Sequence, residues 1–371
     1  MGRVEVVIAC HTPTRPVGRA VASVLDDNAP EAEVTVVCHG VATQEIRAVV
    51  APRHRERVRF LEHDDGIRSP AGPFNAGMRA SRGEFVSLLG SDDRLLPGAV
   101  RSWLQLADAR PGGQAVDCVI SRLALGRPDR IVPTPPVRPW LRPGQPADLV
   151  RDRLSYRSAP LGLVRSTTRE RLGTELVEGF PVGDDVPYVT RLWAETRVVV
   201  DRSGPPYLIG EDATDRVTMH PRPVAAELAF VAHLADQEWF RAYPEDVRCA
   251  VATKLLRIHV FGAVLHRPDP AWWTTKERAD LAEVVRTVLG PAPGAADPLS
   301  LADHDLLKTC LDPAAPAARL VELARARRRH GRPRTLMMRH PSLALHPEAP
   351  GPFMAASLAA RGLRGRRAAA S

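Results

Sequence analysis

The sequence predicts an α/β fold: a mostly parallel sheet flanked by helices, followed by a C-terminal α-helical region. Three observations predict it. From Val4 to Ile120 strand-like apolar runs alternate with helix-like patterns, the order that builds a parallel sheet covered on both faces. After His220 the texture changes to long amphipathic patterns of helical period. Between the two, the apolar run Phe85–Leu89 drives straight into Asp92 and Asp93. Open α/β sheets bind ligands beyond the carboxyl ends of their strands, and adjacent like charges at such an end need a cation or a substrate group to compensate them.

The elements follow in order. Val4–Ala9 is an apolar strand, and Arg15–Asp27 carries Val17, Ala20, Val21, Val24 and Leu25 on one helical face. Val34–Val37 and Val58–Leu61 are the next strands. Phe74–Ala80 reads as a short helix that Gly83 ends, and Phe85–Leu89 is the fourth strand. Pro97 suits the first turn of a helix carrying Val100, Trp103, Leu104 and Leu106. Val116–Ile120 is a strand, and the proline-rich stretch 127–146 is a long loop. Leu161–Val164 is a strand. Ser166–Leu172 is a helix with Ser166 as its cap and Gly173 past its end. Val186–Ala194 is a helix behind the acidic step GDD, and Val198–Val200 a late strand. Helices are then expected over 223–243, over 245–266 with Val247, Val251, Leu255, Ile258 and Phe261 in register, and over 272–289. A linker over 291–298 precedes helices at 301–311 and 317–329. The reading divides the chain into a catalytic domain (1–220), a helical domain (221–330) and a basic, flexible tail (331–371).

Composition bounds the function. With 371 residues, 44% hydrophobic and 25% charged, the chain is that of an ordinary soluble globular protein. Five cysteines without CxxC spacing argue for a reducing compartment and against a disulfide framework or zinc knuckle. No apolar run is long enough to span a bilayer, and MGRVEVVIAC is too short in its apolar part for a secretory signal. The expected location is therefore cytoplasmic. Lysine-poor usage rich in arginine, alanine and proline suits a GC-rich bacterial genome. The net charge is +8, yet from Arg319 onward twelve arginines face only Glu322 and Glu348. The basic character therefore belongs to the tail and points to an anionic membrane surface, with the protein peripheral on the inner face. No aromatics are interleaved with it, and nucleic acid is not an expected partner.

Four segments carry the chemistry: VEVVIACHTPTRPVGRAVASVL (4–25), FNAGMRASRGEFVSLLGSDDRLLPGAV (74–100), LVRSTTRERLGTELVEGFPVGDDVPYVTRLWA (163–194) and DRVT (215–218). In this order they resemble the inverting family 2 glycosyltransferases of the GT-A fold, among them members that decorate bacterial wall teichoic acid. The resemblance implies a Rossmann-like nucleotide-sugar-binding sheet and transfer of a hexosyl or N-acetylhexosaminyl group. The donor would be a UDP-sugar, and the hydroxyl acceptor a cell-envelope polymer or lipid-linked precursor. It implies Mn²⁺ or Mg²⁺ as cofactor, since hard cations take carboxylate oxygens and stabilise a departing diphosphate.

Residue by residue, the resemblance makes Asp185 the general base with Asp184 its neighbour, and Asp92 the metal ligand together with His220. Thr12, His39, Asp65, Asn75, Asp93 and Arg216 would contact substrate, with Asp64 an alternative to Asp65 at the base edge. Two positions depart from the family pattern. Gly90 stands where the first acid of DxDD belongs, and Cys38-His39-Gly40 stands where an acidic step reads the base. Both keep open a rival reading, a catalytically inactive binding module of the same fold. Another rival is transfer to a secondary metabolite or protein. A homo-oligomer is compatible with the resemblance. The bland reading of GDD is a helix cap, and that of SDD a solvated turn.

Overall fold

The computed structural model describes residues 2–211 and 222–362. Twelve strands form two sheets. They are β1 (Val4–Cys10), β2 (Ala32–His39), β3 (Val58–His63), β4 (Phe85–Gly90), β5 (Arg94–Leu95), β6 (Cys118–Ile120), β7 (Leu123–Leu125), β8 (Ile131–Val132), β9 (Pro146–Ala147), β10 (Gly162–Arg165), β11 (Val198–Val200) and β12 (Tyr207–Ile209). The main sheet has eight strands in the order β3-β2-β1-β4-β10-β6-β11-β9, and a second has four in the order β5-β12-β7-β8.

In the main sheet β3, β2, β1 and β4 are all parallel, and their register brings Cys10 beside Cys38, His39 beside His63, and Ala9 beside Gly90. The turns that follow these strands therefore open on one common edge. β10 enters antiparallel between β4 and β6, so the late strands do not simply extend the parallel run. In the second sheet β5 pairs with β12, placing Leu95 opposite Tyr207 directly behind the acids of the β4 turn.

β1, β2 and β4 are buried on both faces, as near-continuous apolar runs must be. Val4, Val6, Ile8 and Cys10 of β1 join a core with the helices Val17–Leu25 and Ala99–Asp108, whereas Val7 faces the opposite way. That opposite core is continuous. It runs from Val7 and Val37 through Tyr188 and Trp193 into Phe230, Leu255, Leu281, Leu306 and Leu323. The helical region is thus packed on the sheet and shares its core. The expected linker 291–298 belongs to this packing too, with a 3₁₀ turn at Pro293–Ala296 and both Ala292 and Ala295 buried.

Three expectations need correction. The helix expected over 245–266 is α-helical over Glu245–Lys254, π-helical over Leu255–Val260, and α-helical again over Phe261–Leu265. The wider π turn rotates the helix face, so Ile258 is half exposed while Lys254 and Arg257 turn inward. The helix expected to begin at Pro97 starts at Ala99, because Gly98 sits at φ +77° before it.

Finally, residues 331–362 are no flexible tail. Glu348 is fully buried, accepting from Tyr156 Oη (2.8 Å) and Arg257 Nη1 (2.8 Å), and Arg153 Nε donates to Pro347 O at 2.6 Å. Phe353 stacks on Arg257 and meets Tyr156 edge-on. A lone Glu348 among arginines looked like a minor offset in a basic run, but it is the anion around which this segment docks. Residues 363–371 lie outside the described residues. Among the described residues no helix is long and apolar enough to cross a membrane.

Candidate active site

The edge formed by β1 to β4 carries most of the expected residues. Thr12 lies in the turn after β1, where its Oγ1 accepts from Thr14 N (3.3 Å) and shares a hydrogen bond with Thr14 Oγ1 (3.0 Å). The turn continues into Arg15, whose N–H donates to Thr12 O at 3.3 Å. At the ends of β2 and β3, Asp65 is gripped from both sides. Its Oδ1 lies 2.8 Å from His39 Nε2 and accepts from Ile67 N at 2.9 Å, and its Oδ2 lies 3.1 Å from His63 Nε2. Burial pushes the Asp65 carboxyl up. The hydrogen bonds from His39, Ile67 N and His63 outweigh it and hold the group at about 2, so it stays a carboxylate. Asp64 instead accepts from Gly66 N and closes a local turn.

The acids after β4 answer the problem of adjacent like charges with separate partners. Asp92 Oδ1 is 3.0 Å from Arg15 Nη1, and Arg19 Nη2 donates to Asp92 O at 2.8 Å. Asp93 accepts from Tyr207 Oη through Oδ2 and from Gly210 N (2.9 Å) through Oδ1, while Gly90 N donates to the same Tyr207 oxygen at 2.9 Å. Gly90 is part of this arrangement. A Cβ there would stand 2.4 Å from Asp93 Oδ2 and 3.4 Å from Asp92 Oδ1. The missing first acid is therefore a space that Asp93 fills, and an acid at position 90 would add a third negative charge where two already converge.

The donor set, carboxylate oxygens of Asp92 and Asp93 over a bare Gly90, has the chemistry of a hard-cation site. Among the described residues, however, no cluster of three or more histidine, cysteine, aspartate or glutamate side chains could hold a metal by itself. Such a cation would need further oxygens from its substrate or from water. Arg216 and His220 lie outside the described residues.

Asn75 has a structural task. Its Nδ2 donates to Leu176 O (2.9 Å) and Glu178 Oε1 (3.1 Å), and its Oδ1 accepts from Leu176 N (3.0 Å). It clamps the helix Ala71–Ala80 to the strand-like segment ahead of GDD, and its amide is committed there. Val177 N then donates to Asp184 O at 2.9 Å. One hydrogen-bonded path thus leads from the helix Ala71–Ala80 to the second acidic pair.

Asp184 and Asp185 precede the helix Val186–Glu195 and are both half-buried. Neither caps it by side chain: Asp185 occupies the cap position without a cap hydrogen bond, and Asp184 Oδ1 accepts only from Asp185 N at 3.1 Å. Gly183, at φ +77°, makes the turn that presents the pair, and a Cβ there would strike Phe230 at 2.4 Å. Burial raises the Asp184 carboxyl to about 6. Burial and the adjacent Asp184 raise Asp185 to about 7, against the pull of Lys254. A carboxyl tuned near neutrality, reachable by solvent and unused for capping, is suited to proton transfer.

Lys254, Arg15 and Tyr207 are functional candidates that sequence reasoning missed. Arg15 and Tyr207 sit in a turn and a three-residue strand without any period to flag them. Lys254 did leave a signal, a charge on the apolar stripe of the helix expected over 245–266.

The chain is similar to known proteins in sequence over part of its length and in fold over most of it. The family model described as Glycosyl transferase family 2 matches residues 5–151. The succinoglycan biosynthesis protein ExoO of Rhizobium meliloti (strain 1021) is 36% identical over 116 residues, 31% of this chain and 32% of that protein. This match spans about a third of that relative's length. Among solved structures, residues 1–349 of S. aureus TarS in complex with UDP-GlcNAc superpose with a TM-score of 0.67 at 16% identity, covering 90% of this chain and 93% of that one. The UDP complex of the same protein gives 0.62 over the same shares. At that identity the likeness speaks for the fold, while the family match covers the strands, turns and acids of the β1–β4 edge. The chain thus matches glycosyl transferase family 2 over residues 5–151 and is built on the GT-A fold.

Proposed function

We propose that the protein is an inverting glycosyltransferase that moves a sugar from a nucleotide-sugar to a hydroxyl acceptor. The observation that carries this reading is the Asp184–Asp185 pair: half-buried, not used as a helix cap, and raised to about 6 and 7. In the reaction Asp185 takes the proton of the acceptor hydroxyl. The acceptor oxygen attacks the anomeric carbon, forming the new C–O bond, and the bond from that carbon to the diphosphate oxygen breaks on the opposite face. Asp184 positions and tunes its neighbour. Thr12, His39 and Asp65 hold the nucleoside, with His39 reading the base edge. Asp93 meets sugar hydroxyls.

Asp92 would hold Mn²⁺ or Mg²⁺, with His220 as a second ligand and Arg216 on the phosphates. A divalent cation there supplies charge stabilisation to the leaving diphosphate. UDP is the favoured nucleotide, in keeping with a TarS structure that contains UDP-GlcNAc. The likeness to a succinoglycan biosynthesis protein favours a cell-envelope polymer or its lipid-linked precursor as acceptor. The arginine excess of the C-terminal segment favours work beside an anionic membrane.

The test is a thermal-shift titration with UDP-GlcNAc and with UDP, each with and without Mn²⁺. A ligand that binds only the folded state raises the midpoint by mass action. A rise that needs Mn²⁺ is expected. No rise with any nucleotide-sugar would turn the reading toward a binding module for another ligand.

A further inference from the structure

We propose that Lys254, carried by the helical region, is the buried counter-charge of the Asp184–Asp185 pair and a positioning residue for proton transfer by Asp185. This deepens the reading above and rests on it only where turnover is concerned.

The argument begins with burial. Lys254 is 1% exposed, and unlike the equally buried Arg157, whose guanidinium is held by the backbone oxygens of Ser121 and Thr134, its ammonium has only an imidazole nitrogen within hydrogen-bond distance among the described residues. A lysine taken so fully out of water needs an electrostatic reason. Its ammonium lies 2.9 Å from His259 Nε2, one turn ahead across the π segment. Burial and the neighbouring Lys254 charge push His259 well below its ordinary value, so the ring is neutral and Lys254 is the donor. A neutral imidazole orients the ammonium but does not balance it.

The balancing charge lies on the GDD side. The His259 ring packs edge-on against Phe230 at 4.9 Å, and Phe230 presses on Gly183, immediately before the acids. The π turn that interrupts the helix is what brings Lys254 and His259 together on this inner face. Lys254 and Asp185 act on each other through space. Burial lowers Lys254 to about 8 while Asp185 raises it, and Lys254 lowers Asp185 against burial and Asp184. The titratable groups bearing on this unit are therefore Asp184, Asp185, Lys254 and neutral His259. Among the described residues Lys254 is the cation that opposes the burial of these two carboxyls, so its loss would shift Asp185 toward the protonated form. A protonated carboxyl cannot act as a base.

Lys254→Met removes the charge and keeps the length, and Lys254→Gln serves if the first variant does not fold. The first readout needs no activity: a double-mutant cycle in thermal stability with Lys254→Met, Asp185→Asn and both. Non-additivity near neutral pH that fades by about pH 4, where Asp185 is protonated in every variant, is expected. Additivity at both pH values would overturn the proposal. The second readout is the pH dependence of UDP release from UDP-GlcNAc. The acid limb should move up by roughly one unit in the variant, with turnover recovering on the alkaline side. A uniform loss at all pH values would make Lys254 a packing residue and overturn its charge role. Intact coupling in a wild-type protein that turns over no nucleotide-sugar would uphold the charge pair and reject the glycosyl-transfer reading instead.

Discussion

Of the four adjacent-aspartate pairs in the sequence, Asp92–Asp93 and Asp184–Asp185 have opposite surroundings. Asp92 and Asp93 follow β4 with Arg15, Tyr207 Oη and the Gly210 N–H spread over their oxygens. Asp184 and Asp185 follow a glycine turn with a single intra-pair hydrogen bond, no cap role, and one buried lysine acting at a distance. The first pair is surrounded by donors and offers carboxylate oxygens to positive charge or hydroxyls. The second is held near the point of taking up a proton. The same dipeptide thus serves two chemistries, and what separates them is the supply of donors and cations within reach.

The largest way to break this contrast is Asp185→Asn, which keeps size and shape but accepts no proton. Turnover should fall by about two to four orders of magnitude, the usual span for losing general acid–base catalysis. Asp184→Asn should cost less, and the reverse ranking in steady-state kinetics would move the base to Asp184.

A second effect concerns stability against pH. The folded-state values of about 6 and 7 for Asp184 and Asp185 lie above those of an unfolded chain. The folded state therefore holds the extra protons. Their stabilising contribution is complete below about pH 4 and is lost as pH rises through about 6 to 7. Asp185→Asn should flatten that decline. A melting profile with the same slope in both proteins would contradict the raised pair.

Smaller still is Tyr207→Phe. It strips a buried partner from Asp93 Oδ2 and from Gly90 N–H at once, at about 1–3 kcal/mol of stability. Chemical denaturation measures it, and a cost near zero would show that water replaces the phenol there.

How much of this was legible beforehand depended on signal length. β1 to β4 are apolar runs of six to eight residues between turn signals, and they were readable, as was the helix behind GDD. β5, β7, β8 and β12 have two or three residues each, too short for any period, so the second sheet and Tyr207's role in it were invisible. The two acidic pairs stood out in the sequence by their position, one after a strand and the other before a helix. Their compensators did not, because Arg15 and Lys254 reach them across long stretches of sequence. Asn75 was expected at the substrate, and only tertiary contacts reveal that its amide is spent on Leu176. The docking of 331–362 rested on one buried glutamate in an arginine-rich run, where composition argued the other way.

The central claim is the division of labour between the pairs, and one paired measurement tests it. Calorimetric titration of UDP with Mn²⁺ and the rate of UDP release from UDP-GlcNAc are recorded for Asp92→Asn and Asp185→Asn beside the wild type. Asp92→Asn is predicted to lose most of the Mn²⁺-dependent binding. Asp185→Asn is predicted to bind as the wild type does and to release UDP about a hundredfold or more slowly. Normal binding in Asp92→Asn, or wild-type release in Asp185→Asn, would contradict the account.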